Sequence, residues 1–259
     1  MIPLHEIADR LRRAARITVL TGAGVSAASG VPTFRGAGGL WLARRSPGEG
    51  GRQFRAEDLA TADAFARDPR LVWEWYAWRR EVIAGCAPNA AHDVIAAWSQ
   101  RWPASRVITQ NVDDLHIKAG TRDLVRLHGS IWELSCWREC RVPRHRWRDE
   151  RIPLPALPPA CTACGGFARP AVVWFGESLD PADLQAADAA TACDVFLTVG
   201  TSALVYPAAG FVHDARRRGA FTVEINPEAT SSSAVVDVAI HEPAETALPA
   251  LERALSSRT

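Results

Sequence analysis

A strand-sized apolar run, ITVL at 17–20, leads directly into GAGVSAASGVPTFRG at 22–36, and this junction constrains the fold more than any other segment. Gly22, Gly24 and Ala27 stand as G-x-G-x-x-G/A where a buried strand turns into a helix, the pattern of a dinucleotide-binding turn. Gly22 would permit the tight turn and Gly24 would let the backbone approach a pyrophosphate. Ala27 would allow close helix–strand contact, while free N–H groups at the helix start face the anion. Taken alone, the pattern also fits a plain glycine-rich turn. The residues after it depart from a dehydrogenase, whose second strand would end in an acidic residue about 20 residues on. That region holds Pro32, Thr33, Phe34, Arg35 and GAGGLW instead.

Further apolar runs at 106–109, 124–128, 171–174, 195–199 and 222–225 alternate with helical patterns. This alternation predicts an α/β fold, a Rossmann-like parallel sheet with helices on both faces. The expected organisation is one catalytic domain over 1–259 with its core at 1–35, 86–130 and 169–259. A Trp-rich helical insertion at 36–85 and a cysteine-bearing module at 131–168 interrupt that core. With 259 residues, 47% of them hydrophobic, the chain can bury a large core. A net charge of +1 gives no reason to expect a nucleic-acid partner. The amphipathic start MIPLHEIADRLRRAAR carries Glu6 and Asp9 and reads as neither a signal peptide nor a membrane span, so a cytoplasmic location is expected. Arginine almost replaces lysine, Lys118 being the only one, which reads as compositional bias.

Four of the six cysteines fall as Cys136-x3-Cys140 and Cys161-x2-Cys164, the second pair followed by Gly165 and Gly166. Two close pairs at this separation read as a tetrahedral zinc site of four thiolates, which leaves no open position for water and makes the ion structural. Two disulfides are the alternative, which fits poorly in a chain with no sign of export. Cys86 and Cys193 read as small buried hydrophobes. Between the pairs, RVPRHRWRDERIPLPALPPA reads as a solvated connection or as a dock for acidic protein segments.

In VITQNVDDLH, residues Thr109, Gln110, Asn111 and Asp113 crowd polar groups at a strand's carboxyl end, where open α/β sheets bind ligands. Asp113 or Asp114 could instead cap the next helix. LVRLHGS brings His128 to a strand end before Gly129, a plausible base near neutral pH. No Ser-His-Asp order or H-E-x-x-H helix appears, so the chain shows neither of these hydrolytic motifs. In LVWEWYAWRREVI, Val72, Trp75, Trp78 and Val82 can face inward, while Tyr76 and Arg79 are neighbours on one helix face. They read either as a packed Tyr beside a solvated Arg or as a phenol and guanidinium able to grip a carboxylate.

These segments, with PNAAH at 88–92, LHGS at 127–130, VVWFGE at 172–177, GTS at 200–202 and VEIN at 223–226, follow one another in the order of the sirtuins. The chain resembles those NAD-dependent protein lysine deacylases over nearly its whole length. The resemblance implies that Gly22, Ala23, Gly24, Ser26 and Ala27 hold the pyrophosphate side of NAD, with Thr33, Phe34 and Arg35 in the cofactor loop. Gln110, Asn111 and Asp113 would line the ribose and nicotinamide pocket, and His128 would be the catalytic base, Asn111 and Asp113 acting with it. Gly200, Thr201, Ser202, Asn226 and Ala244 would meet the adenosine half. Val173 and Phe175 would border the acyl-lysine tunnel. Tyr-x-x-Arg after AEDLATADAFARDP is similar to the class III members that remove succinyl and malonyl groups, which implies that Tyr76 and Arg79 read the acyl chain.

The implied reaction passes the acyl group to ADP-ribose with release of nicotinamide, on acyl-lysine proteins or peptides bound as an extended strand to a monomer. A mainly deacetylating enzyme and a mono-ADP-ribosyltransferase on the same fold are the near alternatives. A dehydrogenase would not need the cysteines or TQNVDDLH, and a zinc-ribbon binding module would not need His128. Ala28 and Glu242 stand where the family often has Glu and Gly, which puts the backbone near Ala244 in question.

Overall fold

The computed structural model describes residues 4–32, 56–138, 140, 142 and 145–257. Thr33, Phe34 and Arg35 lie outside the described residues, as does the insertion up to residue 55. The strands are β1 (Ile17–Thr21), β2 (Arg106–Thr109), β3 (Leu124–Arg126), β4 (Gly129–Cys136), β5 (Arg146–Arg148), β6 (Ala168–Val172), β7 (Val195–Val199), β8 (Phe221–Ile225) and β9 (Val238–Ile240). Six of them form one sheet in the order β3-β2-β1-β7-β8-β9, and every pairing in it is parallel. The chain lays strands outward from β1 on one side and then outward from β7 on the other. The β1/β7 boundary is therefore the topological switch point, where open α/β sheets bind ligands.

The helices are α1 (Leu4–Arg13), α2 (Ala56–Leu59), α3 (Ala62–Arg67), α4 (Pro69–Ala84), α5 (Ala90–Arg101), α6 (Leu115–Lys118), α7 (Pro181–Ala190), α8 (Phe211–Arg217) and α9 (Ala244–Ser256). The alternation of side chains along a strand sorts the core into two layers. Val19, Val107, Leu197 and Val223 face α1, α5 and α9 through Ile7, Leu11, Ile95, Trp98, Leu248 and Leu251. Leu20, Ile108 and Phe196 face α7 and α8 through Ala187, Phe211 and Val212. Helices thus cover both faces, as the alternation of runs predicts.

A separate core joins the insertion to the cysteine-bearing module. Phe65, Trp73 and Tyr76 from α3 and α4 pack with Ile131 and Leu134 of β4 and with Trp174. Helix α4 starts sharply because the Asp68 carboxylate accepts from Leu71 N at 2.9 Å with Pro69 at the first position, where proline forfeits no helical bond. The buried Arg80 guanidinium of α4 donates to Asp149 O and lies 5.2 Å from the Trp132 ring, tying the insertion to the segment after β5.

Three expectations are corrected. The run at 171–174 does not join the parallel sheet: β6 is an outer strand of a three-stranded antiparallel sheet, β5-β4-β6. The sixth parallel strand is β9, only three residues long and hard to distinguish from a loop. The glycine-rich turn leads into a seven-residue 3-10 helix, Ala23–Ser29, which ends at Gly30 with φ +84°.

Candidate active site and cysteine cluster

At the switch point the backbone ends of β1 and β7 meet without side chains between them. Gly22 N donates to Val199 O at 3.1 Å and Gly24 N to Gly200 O at 2.8 Å. A methyl group on Gly24 would lie 2.7 Å from Gly200 Cα, and one on Gly200 would lie 2.4 Å from Val25 N. Both positions must therefore be glycine, and Gly200 also has φ +60°, where a side chain is strained. Ala27 is exposed, so the close contact the motif assigns to it falls instead to Gly24 and Gly200, because the 3-10 helix turns Ala27 outward. Gln110 closes the floor: its Nε2 donates to Thr201 Oγ1 at 3.0 Å.

Behind this cradle lies a buried polar network. Asn111 Nδ2 donates to Gly22 O at 3.0 Å and to Ser26 Oγ at 3.1 Å, and Ser26 donates to Asp113 Oδ2 at 2.8 Å. The other Asp113 oxygen accepts from Leu115 N at 2.9 Å, so Asp113 holds the first N–H of α6, whose N-cap position is Asp114, and faces Ser26 at the same time. Burial pushes the Asp113 carboxyl up, against the pull of Leu115 N–H and Ser26. His92 and His116 complete the network, and the sequence pattern alone assigns a role to neither. Asn89 N donates to His92 Nδ1 at 3.3 Å, which leaves Nε2–H for Ser26 Oγ at 3.4 Å. His116 Nε2 meets Thr21 Oγ1 at 3.0 Å. The two rings are 4.9 Å apart, and burial lowers His92 to about 4 and His116 to about 3. Both are neutral spacers that hold Ser26 and Thr21 in place.

His128 lies in the turn between β3 and β4 rather than on a strand. Its Nδ1 is 2.9 Å from Gln110 O; a carbonyl only accepts, so Nδ1 carries the proton and Nε2 is left as the basic nitrogen. Burial lowers the ring's pKa, with the Gln110 bond opposing. Val173 N donates to His128 O at 3.0 Å, which sets the segment after β6 beside the histidine. Trp174 Nε1 donates to Tyr76 Oη at 2.9 Å, and Phe175 N donates to Ala60 O at 2.9 Å, leaving the Phe175 ring 45% exposed.

Tyr76 and Arg79 are 1% and 7% exposed, so a solvated Arg79 is ruled out. Its guanidinium carbon lies 4.8 Å from the Trp75 ring and 5.5 Å from the Tyr76 ring. Burial pulls the Arg79 pKa down while Tyr76 and Asp113 oppose it; the same burial raises the Tyr76 phenol. The inward stripe of α4 is Val72, Trp73, Trp75, Tyr76, Arg79, Arg80 and Ile83. Trp78 and Val82, expected to face inward, are only partly buried and line a narrow cleft with Arg79, Val31 and Pro32.

At the far side of the sheet Asn226 follows β8, its N–H donating to Ile240 O at 3.1 Å and its Nδ2 to Glu228 O at 3.0 Å. Ala244 is the buried first residue of α9, and Glu242 is exposed before it. Ser202 is half-buried beside Thr201.

The sulfurs of Cys136, Cys140, Cys161 and Cys164 lie within 4.8 Å of one another, with Cys136 and Cys164 3.6 Å apart and no disulfide formed. A tetrahedral ion with Zn–S of about 2.3 Å sets its sulfurs about 3.8 Å apart, so the four thiols fit zinc. Burial opposes ionisation of Cys161, but the Ala163 and Cys164 N–H groups together with the Cys164 and Cys136 thiols outweigh it and bring the thiol to about 7. The cluster connects to the site through aromatic contacts: Trp137 stands 4.8 Å from Phe65 and 6.1 Å from Trp174. The basic and proline-rich segment crosses this module, and Arg148 in it binds the buried Asp114 at 2.8 Å.

Comparison with known proteins agrees with this geometry. The Sir2 family model matches residues 22–207. An "NAD-dependent protein deacylase" of Aquifex aeolicus (strain VF5) is 45% identical over 90% of this chain and 92% of its own length. An "NAD-dependent protein deacylase sirtuin-5, mitochondrial" of Canis lupus familiaris is 42% identical over 92% of this chain and 81% of its own. A solved Sir2 homolog–NAD complex is 37% identical, covers 99% of this chain and 96% of its own, and superposes with a TM-score of 0.86.

Proposed function

The chain belongs to the Sir2 family, and on that premise we propose that it is an NAD-dependent protein lysine deacylase acting on succinyl- and malonyl-lysine, and on acetyl-lysine as well. NAD, when bound, supplies a ribose carbon that accepts the acyl oxygen as nicotinamide departs. The ends of β1 and β7 at Gly22, Gly24 and Gly200 are bare backbone at the topological switch point, the kind of strand end that would admit a pyrophosphate. Gly22, Ala23, Gly24 and Ser26 would hold the pyrophosphate side, with Gly200, Thr201, Ser202, Asn226 and Ala244 toward the adenosine. Gln110, Asn111 and Asp113 would orient the ribose and the amide, positioning that can remove several kcal/mol of barrier. His128 would take a ribose hydroxyl proton on Nε2, for which its Nδ1–H bond to Gln110 O prepares it. The lowered His128 pKa keeps that nitrogen free at neutral pH. The backbone of Val173 and the ring of Phe175 would guide an extended acyl-lysine peptide. The four-thiolate zinc would take no part in the chemistry.

The observation that carries the acyl preference is the burial of Tyr76 and Arg79 side by side among tryptophans. A carboxylate drawn into that apolar lobe loses its water and needs a charged partner, and a phenol with a guanidinium offers charge-assisted hydrogen bonds. An acetyl group is too short to reach them. The test is a mass-spectrometric panel of acetyl-, malonyl- and succinyl-lysine peptides with NAD, on wild type and Arg79→Met. One side of a buried charged pair is worth roughly 2 to 5 kcal/mol, so desuccinylation efficiency should fall by about 30-fold to several thousandfold while deacetylation holds. Equal losses on both substrates would sink the acyl-reading role. Protein-linked ADP-ribose in place of acyl-ADP-ribose would identify a transferase instead.

A further inference from the structure

Asp114 is absorbed by neither the reaction nor the zinc cluster, although it directly follows Asp113. Its backbone lies in the left-handed region at φ +62°, and it stands at the N-cap of α6 without lending its side chain to the helix. The carboxylate goes to two arginines instead. Arg148 of β5 donates to Oδ2 at 2.8 Å, and Arg126 of β3 stands 3.5 Å from Oδ1 as an ion pair that forms no hydrogen bond. The Asp114 side chain is only 2% exposed, and a carboxylate taken that far out of water needs its charge matched. Arg126 belongs to the edge of the parallel sheet and Arg148 to the antiparallel sheet, on a strand that lies in the chain between Cys140 and Cys161. One buried charge thus joins the two regions beside the cofactor segment. Two more bonds run the same way: Ile131 N of β4 donates to Val112 O at 2.9 Å, and Trp132 Nε1 donates to Asp113 O at 3.1 Å.

We propose that Asp114, with Arg126 and Arg148, is a positioning clamp for Asp113, through which the cysteine-bearing module sets how the sheet end holds NAD. The inference rests on the reading of Asp113 given above. Both Asp113 oxygens already accept one bond, from Ser26 and from Leu115 N, and an ionised carboxylate keeps further lone pairs for an amide N–H of the cofactor. Protonation would turn one of those acceptors into a donor. The charged and titratable groups around Asp113 are Arg79 of α4, the half-buried Cys86 after it, His92 across Ser26 with His116 beside it, and Asp114. Arg79 favours the ionised form of Asp113, and Asp114 opposes it. By matching the Asp114 charge the two arginines limit that opposition, and by holding its side chain they fix the backbone turn that aims Asp113. Asp114 acts through its neighbour and needs no contact of its own with the cofactor.

The test measures NAD affinity by calorimetry as a function of pH on the full zinc-loaded chain, with zinc content and melting temperature checked for each variant. Asp114→Asn keeps a residue type that tolerates the left-handed backbone and removes the charge, so Asp113 should stay ionised to lower pH. Arg148→Gln leaves the Asp114 charge less well matched, so binding should be lost at higher pH. At the pH where wild type has lost half its plateau affinity, with each variant taken relative to its own plateau, Asp114→Asn should bind about three- to tenfold more tightly than Arg148→Gln. Arg148→Lys should restore the wild-type profile. Both substitutions break the same bridge, so a merely structural role would move both profiles alike. Profiles that move together, or that stay in place while wild type binds NAD, would overturn the clamp. A wild-type chain that binds no NAD at any pH would overturn the reading of the site itself, and the clamp with it.

Discussion

The ligand end of the parallel sheet and the small lobe beside it are held by opposite means. At the sheet end, backbone meets backbone: Gly24 and Gly200 leave no room for a single carbon, and Ser26, Asn111, Asp113 and His92 satisfy one another in a closed network. In the small lobe, large side chains do the joining. Phe65, Trp137 and Trp174 pack at tilted angles across three segments, and four thiols gather at a metal-sized spacing. The first arrangement tolerates no side chain at its two glycines; the second is built from bulky rings and a thiol cluster that fits a metal. The groups suited to the reaction stand in the first, and the groups suited to reading the acyl chain stand in the second. Chemistry and specificity should therefore be separable by substitution.

The largest effect expected is on the lobe alone. Purified protein should hold about one zinc per chain, and Cys161→Ala should lose it together with the lobe's order, because site formation and folding are linked at roughly 10 kcal/mol or more in small zinc modules. Most of the ten tryptophans lie in or against the lobe core, so tryptophan fluorescence should change strongly while far-ultraviolet dichroism of the sheet layers persists. Simultaneous collapse of both signals would break the contrast between the two regions. Absence of zinc from freshly reduced protein would refute the metal assignment itself.

On the sheet side, His128→Ala should lower deacylation by about 10² to 10⁴, the usual cost of losing a positioned base, on acetyl- and succinyl-lysine alike. NAD affinity, measured by calorimetry, should stay near wild type, since the Gly22, Gly24 and Gly200 contacts remain. A loss confined to acidic acyl groups would move His128 from chemistry to specificity.

Legibility from sequence divides along the same line. The glycine turn, the Gln110–Asp113 segment and the cysteine pairs are short local patterns, and the fold brings the first two together at the β1/β7 end of the sheet and gathers the four sulfurs. Ala27 departs from its motif because a 3-10 helix has a different angular step from an α-helix, which turns the residue outward. The run at 171–174 mimics a parallel strand because a fully buried strand looks alike in a parallel sheet and in a packed antiparallel one. His92 and His116 carry no sequence signal of their role, since only the fold brings positions 92 and 116 to the back of Ser26 and Thr21. The inward side of α4 is half legible: its tryptophans signal burial, but a helical pattern gives no reason to bury Arg79 or Arg80.

Those two histidines give a smaller effect that sharpens the description of the sheet end. Burial takes His92 to about 4 and His116 to about 3, below the unfolded value of about 6.5. The unfolded chain therefore binds more protons than the folded one below about pH 6.5. Stability should be level above that point and fall as pH drops toward 4, by about 3 kcal/mol for a group shifted this far. Proton NMR should show two histidine C2 resonances that do not titrate above about pH 5, assigned by His92→Gln and His116→Gln. Titration of either near 6.5 would mean that the network admits water.

The smallest expected effect tests the lobe's role in reading the acyl chain most finely. Tyr76→Phe keeps the ring between Trp73 and Trp75, where the centroids stand 6.4 and 4.7 Å away, and removes only the hydroxyl. Two bonds are then at stake: the one Trp174 Nε1 donates to Tyr76 Oη and the one the phenol would donate to an acyl carboxylate. A hydrogen bond to a charged group is worth about 1.5 to 3 kcal/mol, so desuccinylation efficiency should fall by about tenfold or somewhat more, short of the upper range expected for Arg79→Met. The orphaned Trp174 N–H should lower thermal stability by a similar free energy, independent of substrate. Deacetylation should be unchanged once assayed well below the melting temperature. If acetyl- and succinyl-lysine turnover fall together, in step with the stability loss, Tyr76 serves Trp174 and the fold, and the carboxylate is read by Arg79 alone.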